Sequence, residues 1–407
     1  MAKTILIIGT LDTKGAEFGY VRDLIQARGL RTLVMDTGVM GLPLFPPDFS
    51  AGQVAEAGGG SLAALRKAGD RGAALEVMGK GARALAIRCL AEGQVDGVIS
   101  LGGSGGTSIA AAAMQALPVG LPKIIVSTMA SGNVGPYVDV KDITLMYSVV
   151  DVAGLNRLSR RILANAAGAV CGMAEQAVPA GQERPLVTAT MFGVTTPCVN
   201  RVREILEEKG YEVLVFHATG SGGRAMESLI ADGFITGVAD ISTTEWCDEL
   251  VGGVLSAGPT RLDAAAARGV PQVVSLGALD MVNFGPWDTV PAPFKGRVLY
   301  KHNPTVTLMR TTAEECADLG RIIAGKLNRA TGPTALFVPL RGVSMIDAPG
   351  QPFCAPEADA ALFQAVRQHL DPRKVELVEL DRHINDPEFA EAMASRLLAM
   401  LTAQKGA

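Results

Sequence analysis

The sequence predicts a doubly wound α/β protein in two halves, and three observations carry that expectation. Short β-branched runs, apolar throughout and without alternation, recur between Ala/Leu-rich segments. Such runs fit strands covered on both faces, hence parallel sheets wrapped by helices. Glycine, 47 residues in all, punctuates the ends of these runs, where strand must turn into helix. The rhythm also repeats: Gly9, Gly29 and Gly38 bracket one strand-helix-strand unit, and Gly193, Gly210 and Gly220 bracket another of nearly equal length.

In the first half, strands are expected at Thr4–Gly9, Arg31–Asp36, Asp96–Leu101, Lys123–Thr128 and Ile143–Val150, with helical segments at Lys14–Arg28, Ala82–Ala91 and Ser108–Ala116. The second half offers strands at Leu186–Phe192, Glu212–Phe216, Gly237–Ile241, Gln272–Leu276, Arg297–Lys301, Ala335–Pro339 and Val375–Leu380. Between them, Val178–Pro185 has the composition of a linker, with two prolines and a glycine among polar residues. The domain boundary is placed there, giving 1–180 and 181–407; a chain of 407 residues exceeds one ordinary core of about 150 residues.

Composition narrows the class. Apolar residues make up 48% and charged ones 19%, which leaves ample material for a core and no sign of disorder. Lys plus Arg total 37 against 41 Asp plus Glu, a formal charge of −4 with the signs scattered, so a nucleic-acid surface is not expected. The six cysteines are widely spaced, with no CxxC pair, and fit free thiols in a reducing compartment. The apolar stretch after Thr4 ends at Gly9, too short for a signal segment or a membrane span, and a cytoplasmic protein is expected.

Three loops at expected strand ends could hold a ligand, because open parallel sheets bind beyond their carboxyl edges. Gly9-Thr10-Leu11-Asp12-Thr13-Lys14 follows the first strand; it offers two hydroxyls, free N–H groups at a helix start and an ammonium, although a plain helix cap by Asp12 or Thr13 accounts for the same residues. Gly102-Gly103-Ser104-Gly105-Gly106-Thr107 lets the backbone approach an anion and aim successive N–H groups at it, the composition of a phosphate cradle; the competing account is a tight turn against a neighbouring helix. Thr128-Met129-Ala130-Ser131-Gly132 brings small polar residues to the same edge. Asp36, 27 positions after Gly9, is placed to accept from a ribose hydroxyl or to cap the turn beside Gly38. Asp12 or Asp151 would help place a metal, Mg²⁺ needing only one or two protein oxygens.

The second half has polar clusters of its own. Gly220-Ser221-Gly222-Gly223-Arg224 is another glycine loop, able to take a carboxylate or phosphate or to serve as a flexible connection. Glu245 opens an acidic helix start, His302 is the one histidine placed for acid/base work, and Arg310 lies beside two threonines. Cys198 falls in a helix's first turn, where a thiol is either activated or simply buried.

Several longer strings resemble a known family. Gly9 through Lys14, Leu101 through Ser108, Ser127 through Gly132 and Ser148-Val149-Val150-Asp151 carry the resemblance in the first half. In the second half it rests on Val251 through Leu255, Gly277 through Pro286, Met309 through Thr312, Ser344 through Gly350 and His383-Ile384-Asn385-Asp386. Together they are similar to the N-terminal, ATP-binding domain family of the tomato mosaic virus resistance protein and its uncharacterised bacterial relatives. The resemblance implies two Rossmann-like subdomains, each a mostly parallel sheet flanked by helices, with ATP and Mg²⁺ in the first, and a homodimer. In the plant protein a TIM-barrel-like part follows, which has no counterpart before Ala407, so a separate TIM-barrel-like partner is expected.

Three functions compete on these residues. The first is an ATP-Mg²⁺-binding protein using the loops that start at Gly9, Gly102 and Ser127. The second is a metabolic enzyme working in an interdomain cleft, with Glu245, His302 and Arg310 acting on a small carboxylate or phosphate. The third is a non-catalytic regulatory or interaction module in which nucleotide stabilises one conformation.

Overall fold

Thr4–Gly9 is buried at all six positions, which an apolar strand achieves only when helices cover both faces of its sheet. In the computed structural model, which describes residues 2–179, 181 and 183–405, the chain divides into two units, Met1–Ala180 and Gly181–Ala407. Ala180 and Gln182 of the expected linker lie outside the described residues.

Unit 1 runs β1 (Thr4–Gly9), α1 (Leu11–Ala27), β2 (Arg31–Asp36), α2 (Ala51–Ala57), α3 (Leu62–Ala68), α4 (Arg71–Ala91), β3 (Gly97–Gly102), α5 (Ser104–Met114), β4 (Lys123–Ser127), α6 (Gly135–Val138), β5 (Thr144–Tyr147) and α7 (Arg157–Glu175). The strands form one parallel sheet in the order β2-β1-β3-β4-β5. Because side chains alternate across a strand, two apolar layers result. Leu6, Ile8, Val98 and Ile125 meet Met78, Ala82 and Ile109 on one face; Ile5, Ile7, Ile99 and Ile124 meet Phe18, Val21 and Val170 on the other.

Between β2 and β3 the structure holds three helices where the sequence suggests one. Ser50, Ser61 and Asp70 cap them through side-chain oxygens. Their glycines read as loop signals but serve packing: a Cβ at Gly58 would lie 2.0 Å from Val77 O, and one at Gly81 1.8 Å from Val54 O, so α2 and α4 meet backbone to backbone.

Unit 2 runs β6 (Leu186–Met191), α8 (Thr196–Glu208), β7 (Glu212–His217), α9 (Ser221–Asp232), β8 (Ile235–Ser242), α10 (Glu245–Val251), α11 (Ala264–Arg268), β9 (Gln272–Gly277), β10 (Met281–Phe284), β11 (Leu299–Asn303), β12 (Val306–Arg310), α12 (Ala313–Leu327), β13 (Thr334–Pro339), α13 (Pro356–His369), β14 (Glu376–Leu380) and α14 (Pro387–Lys405). Its main sheet is parallel, β7-β6-β8-β9-β13-β14, which repeats the winding of unit 1 with one strand added. A small antiparallel sheet, β10-β12-β11, is inserted after β9. Among the described residues no helix is long and apolar enough to cross a membrane.

A buried ion network ties the elements of unit 2 together. Arg261, 1% exposed, donates to both oxygens of Asp240, to Glu245 Oε2 at 2.7 Å and to Glu227 Oε1 at 3.4 Å. Burial by itself would lower the arginine's pKa; the charges of Asp240, Glu245 and Glu227 overturn that and hold it well above its ordinary value. Glu227 in turn accepts from Leu262 N and Ala264 N, and Asp240 from Thr190 Oγ1. Asp248 does similar work for the inserted sheet, accepting from Asn283 N and Nδ2 and from Leu255 N. A Cβ at Gly253 would lie 1.9 Å from Asp248 Oδ1, so this approach demands glycine there.

Two outcomes follow for stability. Arg261→Met strands Asp240 and Glu245 without their cation, and urea unfolding is expected to show a loss of about 3–5 kcal/mol; a loss under about 1 kcal/mol would mean the network is idle. Burial pushes Asp248 up to about 6 from an ordinary 3.8. A carboxyl raised on folding favours the native state below its unfolded pKa, and that contribution, about 2–3 kcal/mol, is lost as pH climbs from about 4 through 6. Asp248→Asn, with the Asn283 amide turned over to match, is therefore expected to gain on the wild type across that window. Parallel stability curves for the two proteins would contradict this.

Candidate functional site

The order β2-β1-β3-β4-β5 has its switch point between β1 and β3, where the chain leaves adjacent strand ends in opposite directions and opens a crevice. A cavity of about 600 Å³ lies there. Thr10, Asp12, Thr13 and Lys14 line it from the loop after β1; Thr37, Val39 and Met40 from the loop after β2; Gly103, Ser104, Gly105 and Gly106 from the loop after β3; and Asp151 from beyond β5. The opposite wall is helical, with Leu65 of α3 and Asp70, Arg71, Leu75 and Met78 around α4.

The first loop is held hard against the core. A Cβ at Gly9 would lie 1.8 Å from the buried Phe18 ring, so the strand end fits α1 only as glycine. Leu11 N donates to Asp36 Oδ1, Thr13 N and Lys14 N donate to Thr10 O, and Lys14 leaves helical geometry (φ −131°, ψ 26°), so α1 begins with a separate turn. Lys14 Nζ donates to Val152 O while its side chain lines the cavity. Neither Asp12 nor Thr13 caps the helix. Asp12 Oδ2 instead accepts from Met40 N and Gly41 N, both at 3.0 Å, joining the loops after β1 and β2. Asp12 Oδ1 is buried with no donor, 2.4 Å from where a Cβ at Gly38 would stand.

Asp36 has the turn role of its two readings. It is 2% exposed, accepts from Leu11 N and Gly38 N at 3.1 and 2.9 Å, and burial raises its pKa; Thr37, not Asp36, faces the cavity.

The glycine loop after β3 runs straight into α5, whose N-cap Gly103 provides no side-chain cap. The first-turn N–H groups of a helix have no partner within it, and here they open on the cavity through Ser104, Gly105 and Gly106. Gly102 packs on Gly106, whose Cα would be 3.3 Å from its Cβ. Thr107 is wholly buried; it donates to Gly103 O and bonds Ser127 Oγ at 2.6 Å, bracing the loop from behind. The Ser127–Gly132 turn is joined to the glycine loop by Thr128 N donating to Gly102 O, and Met129 N donates to Ser127 Oγ. Thr128, Met129, Ala130, Ser131 and Gly132 sit at this edge without lining the cavity.

Arg71 and the apolar wall of α3 and α4 were not legible as site residues, because the glycines of that stretch obscure the helices that carry them. The Asp70-Arg71-Gly72 helix start was the available signal. A Cβ at Gly105 would lie 3.5 Å from Arg71 Nη2, so this guanidinium reaches the glycine loop.

In unit 2 the glycine loop at Gly220 is already filled. Gly220 (φ +83°) and Gly223 donate to Glu245 Oε1 at 2.7 and 3.1 Å, and Glu245 Oε2 takes Arg261. The three residues expected to be catalytic have separate surroundings: Glu245 lies in the Arg261 network, Arg310 is buried beside Asp347 and Asp359, and His302 is exposed on β11. Among the described residues no hydrogen bond or ion pair joins any two of them. Burial raises the Cys198 thiol to about 12, the environment of an inert thiol.

Comparison with known proteins agrees across both units. The N-terminal domain of the Uncharacterised protein family (UPF0261) matches residues 3–179 and its C-terminal domain residues 184–401. A UPF0261 protein of Clostridium tetani is 58% identical over 402 residues, 98% of this chain and 100% of its own; one of Rhizobium meliloti is 51% identical, covering 96% and 97%. The ToMV resistance protein Tm-1(GCR237) of Solanum lycopersicum is 45% identical over 335 residues, 81% of this chain and 44% of its own. Among solved structures, a UDP-N-acetylglucosamine 2-epimerase from Rickettsia bellii aligns over 99% of this chain and 97% of its own at 10% identity and a TM-score of 0.25, a likeness from which nothing is carried over. With the two family domains matching residues 3–179 and 184–401, the chain belongs to the UPF0261 family, and its relatives include bacterial UPF0261 proteins and the tomato Tm-1 proteins.

Proposed function

We propose that unit 1 binds ATP with Mg²⁺ in the switch-point cavity. The observation that carries the reading is the α5 N-terminus, without a side-chain cap and opening on a cavity that Lys14 and Arg71 also line. A helix start, a flexible glycine backbone and two cations are what a polyphosphate needs. Val39, Met40, Leu65, Leu75 and Met78 supply apolar wall for a base. Asp12 fits the metal: its Oδ1 is a buried acceptor without a donor, and with Asp151 on the same cavity it would hold Mg²⁺, the other positions being left to water and phosphate. When bound, the ion would neutralise phosphate charge.

The resemblance to an ATP-binding domain family points to the same ligand. Phosphate would lie toward Ser104–Gly106 and the base toward α3 and α4, with Thr10 Oγ1, which accepts from Thr13 Oγ1 at 3.0 Å, keeping its own proton for a phosphate or ribose oxygen.

The test is the thermal midpoint of the full chain against ATP, GTP and NAD, with and without Mg²⁺. ATP-Mg²⁺ at about a hundred times its Kd is expected to add about 2.7 kcal/mol of stability. A Cβ at Gly103 would meet only Thr128 Oγ1, at 3.7 Å, so substitution there is tolerated sterically. Gly103→Ala is therefore expected to keep the shift, and Gly103→Asp, which adds a carboxylate where phosphate would lie, to abolish it. Lys14→Ala is expected to weaken binding at least about tenfold, or 1.4 kcal/mol. An undiminished shift in Gly103→Asp would overturn the assignment.

A further inference from the structure

Asp151 reaches the switch-point cavity from the far side of the sheet. The order β2-β1-β3-β4-β5 puts two strands between β1 and β5, a span of about 14 Å. Asp151 follows β5, which ends at Tyr147, yet lines the crevice beside β1. Residues 148–156 therefore run back along the carboxyl edge as a strap, with Asp151 as its member on the cavity.

The strap is bound at both ends. Next to β5, Ser148 N donates to Ser127 O at 3.1 Å and Ser148 Oγ to Val150 O at 2.7 Å. Val150 N donates back to Ser148 O at 2.7 Å, closing a three-residue turn on Val149 at φ +63°. A β-branched residue is strained in that region. Val149 is 56% exposed and gains little packing in return, so the bonds around it impose the turn. At the other end α1 takes hold of alternate residues: Lys14 Nζ donates to Val152 O, and Glu17 Oε1 accepts from Gly154 N. Val152, between them, is buried in the apolar layer of Phe18 and Val21.

Glu17 is the member of this arrangement that helix packing does not explain. It is 3% exposed on a face of α1 otherwise given to Phe18, Val21 and Ile25, and among the described residues no ion pair reaches it. A carboxyl placed there is costly, and an apolar side chain would serve the core better. What a carboxyl provides at this position is an acceptor for the strap. Asp151 Oδ1 accepts from Val152 N at 2.8 Å, so the same short segment that Glu17 and Lys14 grip also sets the direction of the Asp151 carboxyl.

We infer that Glu17 is a positioning residue of the nucleotide site: by holding Gly154 N it fixes the strap so that Asp151 can join Asp12 in holding Mg²⁺. The inference rests on the ATP-Mg²⁺ reading of the cavity and assigns a role to a residue that does not line it. Partners that orient a metal-binding carboxylate govern affinity for the ion without touching it.

The test measures the affinity of the full chain for ATP by calorimetry, with Mg²⁺ and with EDTA in its place, and takes the ratio as the gain due to the ion. Glu17→Leu, which fills similar space without an acceptor, is expected to cut that gain at least about tenfold, as is Asp151→Asn. Glu17→Gln keeps an oxygen for Gly154 N and is expected to retain the gain. Combined with Asp151→Asn, Glu17→Leu is expected to cost nothing further, because its effect runs through that carboxylate; a merely structural role would give no such dependence. Amide hydrogen exchange of the wild type supplies a check that needs no variant to fold: Gly154 N is expected to be protected in the free protein and further protected by ATP-Mg²⁺ but not by ATP alone. The inference is overturned if Glu17→Leu or Asp151→Asn keeps the full gain, if the two losses add, or if Gly154 N exchanges freely or responds equally to ATP with and without the ion. A wild type that binds no ATP, or gains nothing from Mg²⁺, overturns the nucleotide reading and this inference with it, whereas a wild-type gain that Glu17→Leu matches overturns the inference alone.

Discussion

A parallel strand that hands its chain to a helix delivers a row of backbone N–H groups with no partner in the helix, and the two units differ in what satisfies them. In unit 2 the chain supplies its own anion: Glu245 accepts from Gly220 and Gly223, and Arg261 balances its charge. The start of α5 in unit 1 has no such side chain and opens on a cavity. The two sheets share a winding order, yet one glycine loop is closed by the protein while the other opens on a cavity.

Packing keeps that difference in place. Thr107 braces the glycine loop from behind through Ser127 and Gly103 O, so the N–H groups hold their direction without a capping side chain in front. Asp12 performs a second junction, holding the loop after β2 with one oxygen and leaving the other without a donor. The shape of the cavity therefore owes its precision both to a residue behind it, Thr107, and to one on its wall, Asp12.

Much of this was legible because apolar runs and strand positions obey simple steric rules. The expected runs at Thr4–Gly9 and Arg31–Asp36 coincide with β1 and β2, and Leu186, Glu212 and Gln272 begin β6, β7 and β9. What escaped was tertiary in origin. Gly58 and Gly81 look like turn residues until another helix is seen to occupy the space of their missing Cβ atoms. β10 is four residues long, and its Asn283 reads as a loop residue because its partner, Asp248, lies 35 positions away. The glycine loops at Gly103 and Gly220 look alike as sequence; only the position of Glu245 tells them apart.

The contact between Gly9 and Phe18 has a consequence for how this protein tolerates change. Because the ring fills the volume a side chain would need, any other residue at position 9 disturbs the core before it alters the cavity. An error at that point would surface as a misfolded chain cleared by proteolysis, seldom as a folded protein with an altered cavity. Cellular quality control thereby screens the geometry of the loop, and the surviving population is enriched in molecules whose cavity is correctly formed.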